Sequence, residues 1–210
     1  MMCRDHGRAE NRSMKAIEGL LEGRTWPEPE FSVIKRCIHV TGDPGYADIL
    51  KFSEGAANAA ISLIILGTDV ICDAKSTSSL VNRNRLREAG GEVLCFTGVP
   101  EVIDRAKTMH ISRSVAALEY EFSSQKPAIT VVGTSTSALI HLCDLMDAGK
   151  ANPAFVVATT AGFADVAESK ERLMTYDVPY ILTKGTRGGS AVAAAICNAL
   201  IYSILDRQQT

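Results

Sequence analysis

The stretch KRCIHVTGD, residues 35–43, contains a side chain suited to proton transfer. His39 follows apolar residues at helical spacing, Phe31, Ile34 and Ile38, and a rotation of about 100° per residue puts it on the border of that stripe. Gly42 suits the left-handed position that closes a helix, so His39 falls in the last turn. There the negative end of the helix dipole favours an imidazolium, while Lys35 and Arg36 oppose it. Such a group can serve as a general acid or base near neutral pH. A border histidine that only makes a hydrogen bond stays open on these residues alone.

A second candidate is the turn KGTRGGS, residues 184–190, just before an Ala-rich run. Gly188 and Gly189 allow the backbone close to a ligand, and Ser190 would open a helix whose free N–H groups suit a carboxylate or phosphate. Arg187 could add a bidentate grip. A tight strand-to-helix turn accounts for the same residues. It is not the GxGxxG dinucleotide fingerprint, which belongs to the first βα unit. Arg113, between Ser112 and Ser114 and opening a helix, is a further cation for a ligand, whereas Arg83, Arg85 and Arg87 read as a solvated face. Glu168, Ser169 and Lys170 fit a helix start with ordinary surface charges. His6, His110 and His141 lack metal-ligand spacing, and GTSTS (133–137) lacks the closing glycine of a nucleophile elbow, so neither a metal centre nor a hydrolase triad is expected.

These side chains need a scaffold, and the chain announces one. From residue 68 onward, short apolar runs (69–74, 92–98, 128–135, 153–162 and 179–189) alternate with helical patterns such as 136–149, 164–176 and 191–205. Runs that are apolar on both alternating faces belong to strands covered on two sides. The pattern predicts an α/β fold: a single domain over 1–210, with a mainly parallel sheet, helices on both faces and a helical N-terminal section (helices near 12–22, 30–41 and 54–66). Residues 1–12 are expected to be disordered. Ligands of such sheets sit beyond the carboxyl ends of the strands, here a crown of hydroxyls, backbone N–H groups and cations at 76–79, 97–98, 133–137, 159–162 and 184–190.

Composition narrows the partners. With 210 residues, 46% of them apolar, the chain can build one large core, and a formal charge of −2 gives no reason to expect nucleic acid or an anionic membrane. The six scattered cysteines lack a C-x-x-C pair and read as reduced core residues of a cytoplasmic protein. The first fifteen residues have no apolar core of a secretory signal, and the apolar stretches 56–66 and 191–205 are short for a membrane span.

Read together, KRCIHVTGD, YADILKFSEGA, VICDAKS, SRSVAAL, VVGTSTSAL, GFADVAESKERL and KGTRGGSAVAAAICNAL resemble the precorrin-8X methylmutase family of cobalamin biosynthesis, in the family's order from about Ser13 to Tyr202. The resemblance implies an isomerase that moves a methyl group from C11 to C12 of a corrin-like tetrapyrrole, giving hydrogenobyrinate or its cobalt form, cobyrinate. It implies a flavodoxin-like homodimer with active sites near the subunit boundary. No cofactor is implied, although the substrate ring can already carry cobalt; KR-x-IH-x-T-x-D and FSEGA look more like the early-cobalt branch. The family's catalytic histidine matches His39 and its preceding arginine Arg36. The substrate-binding arginine matches Arg113, and the N-terminal serine matches Ser13. Arg187, with the Gly188 and Gly189 backbone and Ser190, is expected to bind carboxylates.

The sequence departs from the family pattern at Ser76-Thr77 and Leu80, at GTSTSAL, and at Thr160-Ala161, all at strand ends where substrate would sit. Two other functions use the same crown without His39: a non-catalytic corrinoid or tetrapyrrole carrier, and a flavodoxin-like domain for a nucleotide or phosphate ligand.

Overall fold

The computed structural model describes residues 3–123 and 126–208, with side chains described for 10–123 and 126–204. Cys3 and His6 therefore lie outside the described side chains. The elements run α1 (Cys3–Leu20), α2 (Glu30–Thr41), α3 (Tyr46–Ile49), β1 (Leu50–Phe52), α4 (Ala56–Ile65), β2 (Asp69–Cys72), α5 (Lys75–Ser78), α6 (Arg83–Glu88), β3 (Val93–Leu94), α7 (Pro100–Thr108), α8 (Arg113–Ser123), β4 (Ala128–Val132), α9 (Thr136–Asp147), β5 (Phe155–Ala158), α10 (Val166–Leu173), β6 (Tyr180–Thr183) and α11 (Ser190–Gln208).

The six strands form one sheet in the order β1-β6-β5-β4-β2-β3, parallel throughout except for β1, which pairs antiparallel with β6. Counted alone, the five parallel strands follow the flavodoxin-like order, with the reversal of winding between β2 and β4. The alternation of strand side chains accounts for the layers. Ile129, Val131, Phe155, Val157 and Ile181 face a core shared with α2, α4 and α11; Val132, Val156, Ala158 and Leu182 face a second core with α9 and Leu173 of α10. Both faces are thus covered, as continuous apolar strands require.

Helix α2 has the predicted bounds. Its N–H at Gly42 (φ 68°) donates to the Ile38 carbonyl at 2.8 Å, closing the helix as expected of a C′ glycine. Its buried stripe is Val33, Ile34, Cys37 and Ile38. Phe31 is only half-buried, because it stacks on Trp26 near the surface with centroids 5.9 Å apart and carries the Lys35 ammonium 4.5 Å from its ring. Helix α11 is apolar on nearly every side since it packs against α2, α4, α5 and the sheet, and Ala193, Ala194, Ala195 and Ala199 permit close approach. Helix α1 starts at Cys3, so most of the segment 1–12 expected to be disordered is helical.

Candidate active site

His39 is exposed on the last turn of α2 and lines a cleft of about 260 Å³ between α2 and α11. Arg36 and Val40 share its wall; Ala191, Ala194, Ala195, Asn198 and Tyr202 of α11 form the opposite one, and Leu80 closes an end. Val40 and Leu80, both about half exposed, give this mouth an apolar rim beside the imidazole. The imidazole is thus neither sealed in the core nor directed away from every cavity.

The cations that would repel an imidazolium are compensated from α1. Lys35 pairs with Glu18 at 2.7 Å, and Arg36 pairs with Glu10 while its guanidinium lies 5.3 Å from the Tyr202 ring centre. Ser13, half-buried, follows Glu10 by three residues on α1 and so sits on the helix face that meets Arg36. Arg36 and His39 line the same cleft, and Ser13 does not line it. The α11 wall is held by amides: Asn198 accepts from the Asn82 N–H at 2.8 Å and donates to the Leu80 carbonyl at 3.0 Å, and Asn82 donates to the Tyr202 hydroxyl at 2.8 Å.

The first turn of α11 links this cleft to the carboxyl ends of β2 and β4. There the hydroxyls of Ser76, Thr77, Thr134 and Ser190 lie 3.2–3.4 Å apart in a connected group. Beneath them Asp73, buried at the end of β2, accepts the backbone N–H groups of Gly133, Thr134 and Ser135 at 3.1, 2.9 and 2.7 Å. Burial raises its pKa above the ordinary carboxylate value, against the pull of those N–H groups. Arg113 is exposed at the start of α8 and makes no ion pair among the described residues. Its neighbour Ser114 donates to the Asp73 carbonyl at 2.9 Å, which fixes Arg113 beside this crevice.

The loop 184–189 has a different construction from the expected carboxylate grip. The Arg187 guanidinium is paired with Asp43, just beyond α2, and stands 5.4 Å from the Tyr46 ring centre. A Cβ on Gly188 would lie 2.0 Å from the Thr159 carbonyl oxygen, and the Gly189 N–H donates to that same oxygen, so the first glycine serves backbone-to-backbone packing. Gly189 (φ 109°) faces open space, where a ligand could approach it. Ser190 joins the hydroxyl group described above.

Lys170 is not the surface charge expected of a helix start. It is fully buried, and its ammonium donates to the Thr183 hydroxyl at 3.1 Å and to the Gly185 and Arg187 carbonyls at 2.9 and 3.1 Å. Desolvation lowers its pKa to about 8. Its signal was in the sequence: Val166, Lys170 and Leu173 share one helical face, so the lysine lies on the apolar stripe. Arg83 likewise leaves the solvated cluster, donating to the Val93 and Ser78 carbonyls at 2.7 and 3.4 Å, while Arg85 and Arg87 make surface pairs with Glu88 and Glu92. His141 is within 3.1 Å of Glu119, away from the His39 cleft.

Other hollows carry less chemistry. One of about 450 Å³, lined by Phe122, Lys126, Lys150 and Asn152 among others, lies before β4 and β5, at the amino ends of the strands, where ligands of parallel sheets do not sit.

Comparison with known proteins agrees with this fold. Residues 8–203 match the family described as precorrin-8X methylmutase. A precorrin-8X methylmutase of Pseudomonas aeruginosa is 37% identical over 167 residues, covering 79% of this chain and 80% of that protein. A cobalt-precorrin-8 methylmutase of Leptospira interrogans is 30% identical over 200 residues, covering 91% of each. The solved precorrin-8x methyl mutase of Thermus thermophilus superposes with a TM-score of 0.87 at 32% identity, covering 95% of this chain and 98% of that one. With its parallel sheet, its open cleft and its match along nearly the whole length, this chain belongs to the precorrin-8X methylmutase family, isomerases of cobalamin biosynthesis.

Proposed function

We propose that this protein converts precorrin-8, with or without cobalt in the ring, to hydrogenobyrinate or cobyrinate by moving the methyl group from C11 to C12, with His39 as general acid. The observation that carries the reading is the placement of His39: an exposed imidazole at a helix end, in a cleft, with both neighbouring cations paired elsewhere. In the shift the C11–methyl bond breaks as the C12–methyl bond forms, so the step itself needs no oxidant and no methyl donor. A proton given to the conjugated ring-nitrogen system in the transition state, and returned afterwards, lowers its barrier, while rigid holding of the ring supplies orientation. Arg113, the Gly189 backbone and the hydroxyls around Ser190 bind carboxylate arms; Arg36 and Ser13 orient the ring edge beside His39. Gly188 and Arg187 support this arrangement through the loop that carries them.

The α2–α11 cleft is smaller than a macrocycle with its arms requires. We therefore place the ring edge in the cleft and the remainder against a second copy of the chain, in a cytoplasmic homodimer. Four described cysteines are buried free thiols, which suits a reducing compartment. Among the described residues no helix is long and apolar enough to cross a membrane.

Incubation with precorrin-8 tests the reading. The wild-type protein should produce the visible absorption change of the rearranged chromophore, and His39→Ala should lose activity by on the order of 10²-fold or more while retaining its circular dichroism. Return of unchanged ligand by the wild type would indicate a carrier, and full activity in His39→Ala would remove the imidazole from the mechanism.

A further inference from the structure

Lys170 stands on α10, on the opposite face of the sheet from the core that α2 shares, yet the described hydrogen bonds of its ammonium run to the last residue of β6 and the loop after it. The Thr183 hydroxyl accepts from Lys170 and donates to the Arg187 carbonyl at 2.8 Å, so three donors and acceptors converge on one turn of backbone. From that turn the Arg187 side chain reaches Asp43, four residues after His39. The seat for the guanidinium is built. Asp43 Oδ1 accepts the Gly45 N–H at 2.8 Å, Tyr46 lies beneath, and a Cβ on Gly45 would come within 2.9 Å of Asp43 and 3.2 Å of Arg187. A glycine is needed there for the pair to close.

A buried ammonium is costly, and a Met or Leu of similar volume would fill its space. What an apolar side chain could not do is fix the two carbonyls and the hydroxyl that set where Arg187 points. We infer that Lys170 is a positioning residue for the reaction, holding the loop 183–187 so that the Arg187–Asp43 pair clamps the end of α2 that carries His39. This rests on the reading of His39 as the acid. Displacement of that helix end by a fraction of an ångström to an ångström would misplace the imidazole against the ring without abolishing binding, because Arg113 and the Ser76, Thr77 and Thr134 hydroxyls stand on other elements and the Gly189 N–H is held by the Thr159 carbonyl.

The test is a split between kcat and KM. Lys170→Met and Asp43→Asn should each lower kcat on the order of 10- to 100-fold, with KM changed by less than about threefold. The double variant should be no slower than the slower single, because both changes break the same brace. Thr183→Val, which keeps shape and removes the hydroxyl between Lys170 and the loop, should show the same split, and it decides the matter if Lys170→Met does not fold. Wild-type kcat in folded Asp43→Asn or Thr183→Val, or multiplying losses in the double variant, overturns the inference. His39→Ala is measured beside them: if it is inactive while the brace variants keep wild-type kcat, only the brace is refuted, whereas an active His39→Ala refutes the reading beneath it.

Discussion

A single carboxylate, Asp73, holds the loop at the point where the sheet reverses its winding. It takes three consecutive backbone N–H groups at 2.7–3.1 Å in a site that is 3% exposed. An asparagine offers one oxygen and a competing NH₂ in the same space. Asp73→Asn is therefore expected to destabilise the fold by about 2–4 kcal/mol in urea unfolding, since it leaves buried donors unpaired; a loss below about 0.5 kcal/mol would show that the loop does not depend on the charge. At this scale the sequence disclosed some residues and hid others. His39 was legible because helix periodicity and the closing glycine fix its place. Lys170 is harder to read, because a charged residue in a Glu- and Lys-rich helix looks like surface and only its phase with Val166 and Leu173 says otherwise. Arg187 looks like a free cation in the sequence because its partner Asp43 lies 144 positions earlier in the chain, a pairing that no local pattern encodes.

At the scale of elements, the helices and central strands were readable and the sheet edges were not. Helix α2 matches its prediction residue for residue, since its apolar stripe and its αL glycine agree. The run 92–98 contributes only Val93–Leu94 before the chain turns into a 3₁₀ segment at Phe96–Gly98, because an edge strand has a ladder on one side alone. Strand β1 leaves no signal in the sequence. Its three residues, Leu50–Phe52, are too few for a period, and their extended form comes from pairing with β6, where Leu50 faces Thr183 and the Lys184 N–H donates to the Ile49 carbonyl at 2.7 Å. That pairing has a use: β1 follows α2 and α3 directly, so it ties the His39 segment to the strand that carries the 184–190 loop. Of the adjacent glycines in that loop, Gly188 serves contact with Thr159 and Gly189 faces open space.

For the molecule as a whole, the two-layer core includes one acid that the reaction does not use. Glu121 of α8 is buried against β4 and accepts the Thr130 hydroxyl at 2.5 Å, and desolvation raises its pKa to about 8. Between pH 5 and 8 the folded chain keeps a proton on Glu121 that the unfolded chain has released, so this group's contribution to stability should fall as pH rises through that window and level off above it. The change is on the order of 2–5 kcal/mol. Melting curves should therefore show a lower Tm at pH 8 than at pH 5, and Glu121→Gln should remove most of that difference; an unchanged slope in the variant would assign the effect elsewhere. The same two layers leave the carboxyl ends of β2 and β4 joined to the α2–α11 cleft through the first turn of α11, and in the proposed reading this continuity would let one large ligand touch both the imidazole and the hydroxyls of the crown. A crystal structure with hydrogenobyrinate bound tests that claim most directly. The account predicts the C11–C12 edge of the ring in the cleft, with the His39 imidazole within hydrogen-bonding reach and the carboxylate arms toward Arg113 and Ser190. A ring bound at the amino ends of β4 and β5, or one that no His39 of either subunit approaches, would contradict it.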